Sequence, residues 1–120
     1  MIASFRLPYP PSVNHYWRHV GSVTKISRKG RAYREKVCSI LSAVGAEPIP
    51  GPLAVDVQAF PPDRRKHDLD NILKALFDAL EKGGAYHDDN QIMKLTAEKH
   101  EPVKGGQVVV KIESFEGNRT

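Results

Sequence analysis

A chain of 120 residues with a formal net charge of +4 and one cysteine, Cys38, is long enough for one domain with its own core (residues 1–120), and it excludes a disulfide framework or a thiolate zinc site. No apolar run approaches the ~20 residues needed to cross a bilayer and no secretory h-region opens the chain, so a reducing, cytoplasmic setting with no membrane partner is expected. Residues 1–36 hold eight Lys and Arg against one acid, Glu35, whereas residues 75–103 hold three Lys against six acids. That asymmetry suits a polyanionic partner such as nucleic acid, and equally an ordinary basic surface.

Ile2 to Leu7 alternates loosely and predicts a first strand, stopped by Pro8, Pro10 and Pro11. The prolines predict a loop through PYPPSVNHYWRH, carrying Asn14, His15, Tyr16, Trp17, Arg18 and His19. Its amide, aromatic and cationic groups suit a nucleic-acid backbone or a stacked base, and its aromatics suit core anchors equally well. Val20 to Ile26 reads as a short strand or hairpin arm around Gly21, and Ser27 as the N-cap of a helix. Tyr33, Val37, Ile40, Leu41 and Val44 then form one helical stripe, with Arg28, Lys29, Arg31, Arg34 and Lys36 off it. After a Gly/Pro connector, LAVDVQAF (53–60) alternates as a strand ended by Pro61-Pro62. Leu69, Ile72, Leu73, Leu76, Phe77 and Leu80 mark a second helix, stopped by Gly83-Gly84. A polar turn, YHDDN, and strands over 92–98 and 107–112 complete the chain. The expected class is α+β: a mixed β-sheet of four to five strands with two helices packed on it.

The densest chemistry lies in DRRKHDLDNILK (63–74), where Arg64, Arg65, Lys66 and His67 run into Asp68 and Asp70. On a helix these two carboxylates would point about 200° apart, so they converge only if Asp68 lies outside it, in extended chain or at the cap. Either can cap the helix start, where the dipole favours an acid. Asp70 and Lys74 are one turn apart on one face. Asp89 follows a helix about 20 Å long, so it must return to the start of that helix or reach the pair across a neighbouring strand or subunit. Three converging carboxylates would suit Mg²⁺, and Lys74 would add a fixed cation for charge developing at phosphorus. A capped helix with a solvated acid explains Asp68 and Asp70 as well. The spacing from Asp68 fits no EF-hand, and no nucleophile triad or Gly-rich phosphate loop is visible, so no small-molecule cofactor is expected.

DRRKHDLDNILKALFDAL followed by HDDNQI, together with LPYPPSVNHYWRH, SRKGRAYRE and a late KGG turn, resembles the RusA family of Holliday-junction resolvases along nearly the whole chain. The resemblance implies a Mg²⁺-dependent homodimer, with Mn²⁺ as a substitute, that binds four-way junction DNA and nicks two opposing strands symmetrically. It implies Asp68, Asp70 and Asp89 as essential carboxylates and metal ligands, with Lys74 as the essential lysine; Asp88 stands beside them. Arg64, Arg65, Lys66 and Arg18, with parts of the run Arg28 to Arg34, are the expected DNA contacts. His67 stands where an arginine is familiar in the family, which removes a permanent charge. A catalytically inactive junction-binding dimer is the alternative expectation.

Overall fold

Strict alternation in LAVDVQAF sends Leu53, Val55, Val57 and Ala59 to one side of a strand. In the computed structural model, which describes residues 2–116, these four are buried in β4 (Leu53–Phe60) and their neighbours are half-exposed. β4 lies inside a four-stranded mixed sheet ordered β1 (Ile2–Leu7), β6 (Gln107–Ser114), β4, β5 (Ile92–Lys99). β6 runs antiparallel to both neighbours and aligns Val110 with Phe5 on one side and Val57 on the other, so the buried side chains share a face.

Two helices cover that face, as the α+β reading expects. α2 (Arg28–Ala43) begins at Ser27, whose Oγ accepts from the Gly30 N–H at 2.9 Å, and it buries Tyr33, Val37 and Leu41. Val44 drops out of the expected stripe and is exposed, because the helix ends one residue before it. α3 (Asp70–Lys82) buries Ile72, Leu76 and Leu80, and also Ala75 and Ala79. Leu69, Leu73 and Phe77, expected in the core, are only partly buried along its flank.

The proline-rich segment differs from the loop expected. Val13–Tyr16 forms a single helical turn, α1, in which the Ser12 carbonyl accepts from the N–H groups of His15 and Tyr16 at 2.9 Å each. Proline restricts itself and its predecessor, so the chain is free to turn once Pro11 is passed. β2 (Trp17–Val20) and β3 (Val23–Ile26) follow as a separate hairpin. Gly21 takes φ +62° at the first of two loop positions, as a type II′ turn requires. Tyr16 is fully buried, packs edge-on against Trp17, and its hydroxyl donates to Asp78; Arg34 donates to the same carboxylate at 2.8 Å. The aromatic pair thus anchors the loop. Arg34 belongs to a link joining α1, α2 and α3, not to a solvated cationic face. Burial alone would lower the Arg34 pKa, but Asp78 and Tyr16 outweigh it and raise it.

One connection decides where the site can be. β4 and β5 are parallel, so β4–α3–β5 is a β-α-β crossover. The chain enters α3 from the carboxyl end of β4 and re-enters the sheet at Ile92, which pairs with Leu53 at the amino end. Residues just before α3 and just before β5 therefore lie at opposite ends of the sheet.

Candidate active site

Asp63 organises the segment that leads into α3. Its carboxylate accepts from the Arg65 backbone N–H at 3.0 Å, from the Arg65 guanidinium at 3.0 and 3.2 Å, and pairs with His67 Nε2 at 2.7 Å. The bonds to His67 and then Arg65 hold the Asp63 carboxyl well below the usual carboxylate range. Lys99 Nζ donates to the His67 carbonyl at 3.0 Å and pins the same segment to β5. His67 is therefore a fastening of this loop as well as a neighbour of Asp68.

Asp68 lies outside the helix, as convergence with Asp70 demands, and its carbonyl accepts from the Asn71 N–H at 3.1 Å. Neither carboxylate caps α3, contrary to expectation. Leu69 occupies the cap position in helical conformation, and among the described residues no side chain caps the first turn. Asp68, Asp70 and Lys74 are exposed, and none of their side chains has a hydrogen-bond or ion-pair partner among the described residues. Two carboxylates at a helix N-terminus, with an ammonium one turn on, can take up a hard cation and a phosphate oxygen.

Asp89 is not with them. It opens a short 3₁₀ turn, Asp89–Gln91, beyond the far end of α3, and its N–H donates to Glu81 Oε1 at 2.8 Å. Glu81 is eleven residues along the helix from Asp70, about 16 Å at 1.5 Å per residue. Gln91 builds the turn. Its Oε1 accepts from the N–H groups of His87 and Asp88 at 2.8 and 2.9 Å, and its Nε2 donates to the carbonyls of Ile49 and Gly51 at 2.8 Å each. The Asp88 side chain accepts from the Asn90 N–H and is committed to capping the turn. Ligand oxygens of Glu81, Asp88 and Asp89 all lie within 4.8 Å of one another. Partial burial, then the charges of Glu81 and Asp88, raise the Asp89 pKa. These oxygens suit a hard cation in donor type, but no comparable grouping of three ligating side chains among the described residues includes Asp68 or Asp70.

The basic residues divide in a similar way. Arg64 pairs with Glu101 at 3.0 Å and Arg65 with Asp63, whereas Lys66 and Arg18 have no partner among the described residues. Arg18 lies on the exposed hairpin, opposite Lys25. A cleft of about 740 Å³ opens beside Asp68, between the segment after β1, α2 and the loop before α3; Lys29, Lys36, Lys66, Tyr9 and Asn71 line it. Lys66 and Lys29 stood out in the sequence as phosphate contacts, and Lys36, also off the apolar stripe of α2, shares a helix face with Lys29 at seven-residue spacing.

The family model described as endodeoxyribonuclease RusA matches residues 8–113. The chain is 40% identical to the crossover junction endodeoxyribonuclease RusA of Escherichia coli (strain K12) over 110 residues, covering 91% of this chain and 92% of that protein. It is 42% identical over 113 residues to the protein of that name from Enterobacteria phage HK97, covering 93% and 94%, and 40% identical over 107 residues to that from Enterobacteria phage 82, covering 88% and 89%. The carboxylates at the start of α3, the turn built on Gln91 and the lysines of the cleft all fall inside the matched span, and the chain belongs to the RusA family of endodeoxyribonucleases.

Proposed function

We propose that the chain resolves four-way DNA junctions as a Mg²⁺-dependent homodimer, nicking two opposing strands symmetrically. The observation that carries this reading is the likeness, over some nine-tenths of both chains, to proteins named crossover junction endodeoxyribonucleases. Each site combines Asp68, Asp70 and Lys74 of one subunit with Asp89 of the partner subunit, because α3 separates the two groups within a chain. The carboxylates of Asp68, Asp70 and Asp89 hold the ion, for which Mn²⁺ can substitute. When bound, that ion activates water and offsets charge at the phosphodiester. Lys74 presents its ammonium to the phosphate oxygens. Arg18, Arg64, Arg65 and Lys66 take the flanking phosphates, Arg18 and Lys66 without having to leave an ion pair.

Two-fold symmetry suits a substrate that needs paired cuts, since a C₂ dimer offers two identical sites at fixed separation. The test is Asp70→Asn on a labelled four-way junction. Cleavage should fall by about a thousandfold or more, with junction affinity within about threefold of wild type. Undiminished Mg²⁺-dependent nicking by the purified variant would overturn the assignment of Asp70. Wild-type protein that binds the junction with Mg²⁺ or Mn²⁺ but never cuts would favour an inactive junction binder.

A further inference from the structure

The cleft beside Asp68 has features that a phosphate-tracking surface does not need. It is concave, and its volume of about 740 Å³ falls within the roughly 300–1,000 Å³ of pockets that enclose small-molecule-sized ligands. Its lining includes Tyr9, Tyr33 and Ile72, and Asp68 stands on its wall. Lys29 and Lys36 reach it from α2 and Lys66 from the loop before α3; none of the three has an ion-pair or hydrogen-bond partner among the described residues. The Asn71 side chain, one residue beyond Asp70, is likewise unpartnered there. The Tyr9 hydroxyl is shielded from solvent and makes no hydrogen bond among the described residues.

The cleft is held open by rigid parts. The Tyr33 hydroxyl donates to the Pro8 carbonyl at 2.8 Å, fixing the segment after β1 to α2. Gly106, at φ +70°, packs so closely on Tyr9 and Pro62 that a side chain there would meet both. Gly105, beside it, lines the cleft.

A duplex backbone is convex and rests on such a rim. A single unstacked nucleotide can enter, lay its base against aromatic and apolar walls, offer its edge to the Asn71 amide, and leave its phosphates among the three lysines. Because Asp68 belongs both to this wall and to the proposed metal site, a strand whose phosphate sits at Asp68 has its next nucleotide at the cleft. We infer that the cleft holds one unstacked nucleotide flanking the scissile phosphate, and that seating it selects where the strand is cut. This rests on the junction-nuclease reading above.

The test uses four-way junctions with a single 2-aminopurine at each position in turn within two nucleotides of the cut. Full-length protein is titrated without divalent metal, so that nothing is cleaved, and binding is followed in the same samples by anisotropy. The expected result is a severalfold rise in 2-aminopurine fluorescence at one position only. Ala32→Trp, which fills the cleft from an exposed position on α2, should abolish the rise and lower cleavage by about a hundredfold. Ala32→Ser, which leaves the cleft open, should keep both. Saturable binding with no rise at any position, or a rise that survives Ala32→Trp, would overturn the inference and leave the nuclease reading standing. Failure to bind the junction at all would overturn both.

Discussion

Asp63 shows how a residue with no assigned chemistry can decide the geometry of one that has it. Five positions ahead of Asp68, it gathers Arg65 and His67 into one cluster and so fixes the loop that delivers the carboxylates to α3. Replacing it by alanine frees Arg65 and His67 beside the site. Cleavage should fall by about tenfold to a hundredfold through misplacement, with little change in the unfolding midpoint. The same cluster makes a pH prediction. An Asp titrates near 3.9 in an unfolded chain and lower here, so the unfolded state binds more protons in the window between. The contribution of Asp63 to stability is therefore complete above about pH 4 and is lost as pH falls toward the depressed value. Carboxyl ¹³C shifts should place its midpoint below that of an unstructured Asp, and Arg65→Ala should move the midpoint upward; an unchanged midpoint would deny the pairing. The charge run around Asp63 was plain in the sequence. Its division into paired and free cations was not, because Glu101, which takes Arg64, lies 37 residues away.

At the scale of elements, the two kinds of periodicity proved unequal guides. β4 and α3 were legible because one strictly alternates and the other carries a full apolar face ended by Gly83-Gly84. The parallel pairing of β4 with β5 was not, since period 2 is the same in either direction and Ile92–Lys99 is mostly exposed. That one unread fact explains why Asp68, Asp70 and Lys74 could be assembled locally while Asp89 stayed unplaced. The single turn of α1 was missed because its signal is four residues long. The turn carrying Asp89 depends on Gln91, which makes two hydrogen bonds to His87 and Asp88 and two to the connector at Ile49 and Gly51. Gln91→Ala leaves backbone groups on both sides without partners and should cost about 1–3 kcal/mol in denaturant unfolding. It should also lower cleavage while sparing junction binding. A variant as active and stable as wild type would show that the turn holds itself. Gly30 supplies a second check, since a methyl group there would collide with the Tyr16 carbonyl oxygen. Gly30→Ala should destabilise by about 1–3 kcal/mol through overpacking, despite its better helix propensity.

For the whole molecule the question is whether two chains share each site. β5 is an edge strand, and Met93 and Leu95, on one side of it just after Asp89, are 64% and 41% exposed. An apolar pair on an open edge is the kind of surface a second subunit covers. Shared sites make a prediction that separate sites cannot. Asp70→Asn and Asp89→Asn proteins should each be inactive alone. If each site takes Asp70 from one chain and Asp89 from the other, a mixed dimer has one site carrying both substitutions and one carrying neither. If each site is built from a single chain, every site in the mixed dimer carries one substitution. Unfolding the two variants together and refolding them as an equimolar mixture should restore nicking to about a quarter of the wild-type site concentration, as random pairing of a C₂ dimer requires. The restored activity should give single nicks more often than paired cuts, because each mixed dimer has only one working site. A mixture as inactive as its components, with chain exchange verified by mass, would place both carboxylates in one chain's site and require α3 to rearrange on binding DNA.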